Sequence, residues 1–149
     1  MYMGDFEDYD FKYCIWLLCE EDEDWSKRTN GFKAHMSICT HLSMTEALDM
    51  YSILAKDTSM IVEAEPGPII EYNNGFNALY YNVKYSVKND KPRPWWWPKN
   101  AHVSLKYKYN EAFGEEETNS LKIIDNECKM KGVVIMKCTG MHKDWKWIM

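Results

Sequence analysis

Apolar and polar positions alternate along most of this chain in short stretches separated by turn residues, and a helical period enters only twice. Residues 11–19 (FKYCIWLLC) form an apolar run of aromatic and branched side chains that ends on the acids at Glu20, which predicts a buried strand. Thr29-Asn30-Gly31 signals a turn. Residues 32–42 follow it with small polar and histidine side chains alternating with apolar ones, a second strand. At Ser43 the period changes: Ser43-Met44-Thr45-Glu46 has the form of a capping box, and Ala47, Leu48, Tyr51, Leu54 and Ala55 recur at helical spacing. Residues 60–64 (MIVEA) predict a strand stopped by Pro66-Gly67-Pro68, and residues 78–87 another after the Asn73-Asn74-Gly75 turn.

The second half repeats this order. Residues 91–98 (KPRPWWWP) hold three prolines, which remove backbone donors and favour an extended loop. Residues 101–109 (AHVSLKYKY) alternate as a strand. Glu115-Glu116-Glu117 opens a predicted helix with Leu121, Ile124 and Cys128 on one side, closed by Lys129, Lys131 and Gly132 in keeping with the macrodipole and a glycine stop. Residues 133–138 (VVIMKC) and 143–149 (KDWKWIM) predict the last two strands.

Two segments in this pattern match. Ala34-His35-Met36-Ser37-Ile38 and Ala101-His102-Val103-Ser104-Leu105 share the form A-H-h-S-h, h being apolar, and each stands on a strand followed by a helix and a short strand. The units run over about 32–65 and 99–139 of a single domain spanning 1–149. Side chains alternate across a strand, so His35 projects with Ser37 and His102 with Ser104, while Met36, Ile38, Val103 and Leu105 face the other way. Packed about a pseudo-twofold axis, the two polar faces would meet across one cleft. Two imidazoles and two hydroxyls there suit an in-line displacement at phosphorus. One histidine takes the proton of the attacking oxygen, the other protonates the leaving oxygen, and the hydroxyls hold the non-bridging oxygens. A lone H-x-S on a strand is more often structural. Two copies in matching surroundings, among only four histidines, point to chemistry.

At these residues the chain resembles the two-histidine (2H) phosphoesterase superfamily, marked by a duplicated H-h-[S/T]-h motif on strands lining a cleft. The resemblance implies an α+β fold of two pseudo-symmetric lobes, with antiparallel sheets lining a central cleft and helices outside. It also implies metal-independent cleavage of a nucleotide phosphodiester: a 2',3'-cyclic phosphate, a 2',5'-oligoadenylate or a cyclic dinucleotide. By carry-over His35 and His102 are the acid/base pair, and Ser37 and Ser104 the phosphate-holding hydroxyls. Both hydroxyls are serine, where many relatives have threonine; the donor is kept, but a methyl that would fix the rotamer is lost. Relatives from viruses and phages remove oligonucleotide messengers of antiviral defence, which would place such a chain in a host's cytoplasm. A nucleotide or RNA-end binding module using the same cleft is the competing reading.

Other residues fit plainer roles. His41 and Ser43 form a third H-x-S, but Ser43 serves as the cap and His41 lies about 20 Å along the strand from His35. Cys39 is about 13 Å from His35 by the same rise, too far to share an ion, so no metal or other cofactor is expected. For substrate contacts, Lys106 falls on the His102 face by alternation, Trp97 lies in the loop just before the second motif, and Trp145 and Trp147 share a face near the end of the chain. The acids 20–24 and His142 read as surface groups.

Charge and cysteine narrow the class. A net charge of -5 argues against general binding to long duplex nucleic acid, whose affinity comes from lysine and arginine at phosphates. Five cysteines without scaffold or zinc-finger spacing read as reduced core thiols. Residues 1–10 are acidic, unlike a signal peptide, and no apolar run nears the ~20 residues of a membrane span. The expectation is a cytoplasmic monomer acting on a small nucleotide or short oligonucleotide.

Overall fold

The structure is a computed structural model that describes residues 10–54, 58–65, 68–73, 76–121 and 126–149. Its strands are β1 (Asp10–Cys19), β2 (His35–Leu42), β3 (Ser59–Ala64), β4 (Ile69–Asn73), β5 (Phe76–Tyr85), β6 (His102–Tyr109), β7 (Glu127–Thr139) and β8 (Lys146–Trp147). Two helices, α1 (Met44–Leu54) and α2 (Glu115–Leu121), follow β2 and β6, and 3-10 turns cover Asp24–Arg28 and His142–Asp144. The chain is thus α+β and mostly antiparallel sheet.

All eight described strands belong to one sheet in the order β1-β2-β6-β5-β3-β7-β8, with β4 paired to β5. Because β7 also pairs with β1, six strands close into a ring of antiparallel neighbours. Ring closure places β2 beside β6 and β3 beside β7, so the two strand-helix-strand units are joined edge to edge at both seams.

Alternate side chains from all six ring strands meet in one core: Ile15 and Leu17, Met36 and Ile38, Val62, Leu79, Val103 and Leu105, Met130 and Ile135. Helix α1 adds Ala47 and Leu54, and the 3-10 turn adds Trp25, fully buried against Tyr81. A smaller cluster of Cys14, Trp16, Val134 and Cys138 lies on the opposite face of β1 and β7. The motif strands therefore show their apolar residues to the main core and their histidines to the other side, as the alternation requires.

The capping box at the head of α1 is made on both sides. Glu46 N–H donates to Ser43 Oγ at 3.1 Å, and Ser43 N–H donates to a Glu46 carboxylate oxygen at 2.9 Å. Ser43→Ala is expected to lower stability by about 1 kcal/mol, read from urea midpoints. No change would mean that this end of the helix is held by tertiary packing alone.

Several predicted elements shift. The helix expected from Glu115 to Gly132 ends at Leu121, and Cys128, Lys129, Lys131 and Gly132 lie in β7. Cys128 and Met130 alternate into the core, as do Val133 and Ile135 beyond one extra residue, where Leu17 opposes Val133 but Cys19 opposes Met130. Gly132, at φ +93°, takes up that bulge instead of ending a helix. β4 forms a hairpin arm with β5 that the proline-glycine signal concealed. The final strand is only two residues long, because His142–Asp144 turns first. Ala55, Pro66, Gly67, Asn74, Gly75 and Ile124, which carried parts of the sequence argument, lie outside the described residues.

Candidate active site

The β2–β6 seam decides the geometry. His35 is the Cα partner of Ser104, and Met36 of Val103; the same antiparallel register sets Ser37 across from His102. Each histidine is thereby opposite the other motif's serine. Diagonal neighbours across such a seam stand about 7 Å apart at Cβ, a spacing that leaves room for a phosphoryl group between two imidazoles. All four side chains line one cavity of about 270 Å³, walled further by Trp16, Tyr80, Tyr107, Glu71 and Trp145.

Both imidazoles are held alike. Nδ1 of His35 lies 2.8 Å from the Lys33 carbonyl, and Nδ1 of His102 lies 2.9 Å from the Asn100 carbonyl. A carbonyl only accepts, so each Nδ1 carries the hydrogen, and in a neutral ring Nε2 keeps the lone pair. Their settings differ. His35 is 1% exposed and stacks on Trp16, with ring centroids 3.4 Å apart and planes within 10°. Burial pushes its pKa down to about 3; the Lys33 carbonyl opposes this, and His102 adds a smaller push in the same direction. His102 is only half-buried, with the Tyr80 ring 4.7 Å away.

A second ring of contacts was not legible in the motifs. The Ser104 hydroxyl is hydrogen-bonded to Tyr107, whose phenol burial pushes above its ordinary range. Tyr80 donates its hydroxyl to Glu71 at 3.1 Å. Tyr107 reaches the cavity through a bulge: Tyr80 pairs with Ser104 but Leu79 with Lys106, so β6 carries one extra residue there. The alternation expected to carry Lys106 onto the His102 face is broken at that point. Lys106 lies outside the cavity wall, 3.7 Å from Glu117 on α2.

The other sequence candidates divide. Trp145 lines the cavity, its indole N–H donated to the Gly140 carbonyl at 3.1 Å and its ring in edge contact with Trp16. Trp147 lines an adjoining hollow. Trp97 packs on the main core against Tyr85, away from the cleft. His41 is exposed and outside the cavity. His142, expected at the surface, is half-buried and held: it stacks on Tyr109 with planes 6° apart, and its Nε2–H donates to the Asn30 carbonyl at 2.9 Å. That ring ties the 3-10 turn before β8 to the Thr29-Asn30-Gly31 turn.

Among the described residues, the group of three His, Cys, Asp or Glu side chains close enough to share an ion is Glu20, Asp22 and Glu23, beyond the end of β1 and outside the cleft. No described helix is long and apolar enough to cross a membrane. Comparison with protein-family models and with curated proteins gives no match for this chain.

Proposed function

We propose that the chain is a metal-independent phosphodiesterase of the two-histidine kind, acting on a nucleotide phosphodiester in the β2–β6 cleft. The observation that carries this reading is the crossed register, His35 facing Ser104 and Ser37 facing His102, with both Nδ1–H groups tied to carbonyls two residues upstream. With Nδ1 so tethered, Nε2 is the nitrogen of each ring left for proton transfer in the cavity that both line. His35, kept neutral by burial, serves as the proton acceptor: its Nε2 takes the proton of the attacking hydroxyl or water as the new P–O bond forms. The opposite P–O bond breaks, and His102 serves as the acid, passing a proton from Nε2 to the leaving oxygen. Ser37 and Ser104 donate to the non-bridging oxygens, where charge accumulates. On this reading the joined strand-helix-strand units form the two lobes of a 2H-phosphoesterase-like fold, with the motif strands at their meeting line.

The deciding experiment is a product assay over 2',3'-cyclic nucleotides, 2',5'-oligoadenylates and cyclic dinucleotides. Turnover of at least one class is expected, with the rate unchanged in excess EDTA. Loss of the rate in chelator would replace the paired-imidazole mechanism with a metal-assisted one. One observation favours a second reading: a histidine with a pKa near 3 is a weak base in the empty cleft. Tight binding to one member of the panel without turnover would make the protein a nucleotide-binding module.

A further inference from the structure

Beside the cleft lies a second hollow of about 170 Å³ on the same sheet face, and Trp16 and Trp145 form part of both walls. Its remaining lining combines the rings of Phe32, His142 and Trp147 with the aliphatic side chains of Leu18, Val134 and Met136, and Lys33 and Lys143 also border it. Trp147 is 56% exposed, and the Lys33 ammonium stands 5.1 Å from its ring centroid, over the face. The cleft itself has no lysine or arginine among its described lining residues. Cations and the exposed indole of Trp147 therefore lie next door to the four motif residues rather than among them.

We propose that this hollow is a stacking subsite for a nucleobase adjoining the scissile phosphodiester, so that the ligand is a dinucleotide or longer rather than a mononucleoside cyclic phosphate. The inference rests on the phosphodiester reading of the cleft and extends it. Flat aromatic walls accept any base by its π-face, and ammonium groups at the rim meet the charge of the linking phosphate. The two hollows, of about 270 and 170 Å³, share Trp16 and Trp145 as a common wall, so a ligand longer than one nucleotide could reach from one to the other across that pair. Lys33 touches both: its carbonyl holds the Nδ1–H of His35, while its ammonium, paired with Glu21 at 3.1 Å, lies over Trp147.

The test measures kcat/KM for adenylyl dinucleotides, in 2',5' and 3',5' linkage, and for adenosine 2',3'-cyclic phosphate, in the native chain and in Trp147→Ala. The expected result is that the dinucleotide-to-mononucleotide ratio falls about tenfold in Trp147→Ala, the loss typical of one stacked base. Lys33→Gln should move the ratio in the same direction. An unchanged ratio overturns the subsite, and so does turnover of the cyclic mononucleotide alone. Turnover of the dinucleotide alone, weakened in Trp147→Ala, supports it. If the native chain turns over neither compound, the phosphodiesterase reading fails and the subsite is judged by tryptophan-fluorescence titration with the dinucleotide. Tighter binding by the native chain than by Trp147→Ala then supports it, and equal or absent binding overturns it.

Discussion

Replacing His102 by alanine is expected to lower kcat/KM on any nucleotide the protein turns over by about 10²-fold or more, the usual loss when a positioned acid or base is removed. The substitution is a clean one. His102 is half-buried at the first position of β6, its side chain bonds a local carbonyl and lies beside Tyr80, and it is not part of the main core, so its removal opens no hole there. Urea midpoints should stay close to native while the rate falls. His35→Ala should lose as much activity, but it also strips the stacking partner from Trp16, so a stability loss accompanies it. Full activity in the His102 variant would end the paired-imidazole mechanism, whatever the behaviour of His35.

The second large effect is on stability against pH. His35 titrates near 6.5 when unfolded and at about 3 in the folded chain, because burial beneath Trp16 disfavours its charged form. Between those values the unfolded state binds the proton and the folded state does not, so stability is intact above 6.5 and is lost progressively as pH falls toward 3. At 1.36 kcal/mol per pH unit, the full window amounts to about 5 kcal/mol. Carboxylates also titrate over part of this range, which makes the informative quantity a difference. Urea unfolding of the native chain and of His35→Gln at pH 7 and pH 4 should show a clearly shallower pH dependence in the variant. Equal slopes would mean that His35 is not the responsible group, as would an NMR titration in which its ring protonates near 6.5. His142 adds a smaller contribution of the same sign, since burial lowers its pKa as well.

How far the sequence could be read depended on how local each determinant was. The capping box, the motif strands and the buried run at β1 follow from near neighbours and periodicity, and all three stand where the pattern put them. Strand alternation correctly sent His35 with Ser37 and His102 with Ser104. It failed wherever one residue was inserted against the partner strand. The bulge after Ser104 exchanged Lys106 for Tyr107 at the cavity, and the one at Gly132 turned an apparent helix stop into the middle of the longest strand. A bulge depends on what lies across the sheet, and no periodicity within β6 or β7 announces it. The crossed register, the stacking of Trp16 on His35 and the wedge of His142 between two turns join residues far apart in the chain. Only ring closure brings them together.

The burial of His35 also ties anion binding to proton uptake. A single negative charge about 4 Å from the ring, at an effective dielectric constant of about 20, contributes about 4 kcal/mol in favour of the imidazolium, equivalent to about three pH units. A phosphodiester seated in the cleft would thus lift His35 from about 3 toward neutrality and make it an effective base only while the ligand is present. Occupancy and basicity become one linked equilibrium: affinity for the anion should strengthen as pH falls, and the acid limb of kcat should lie above that of kcat/KM. An empty cleft then stores no proton, and the substrate itself arms the base that activates its attacker.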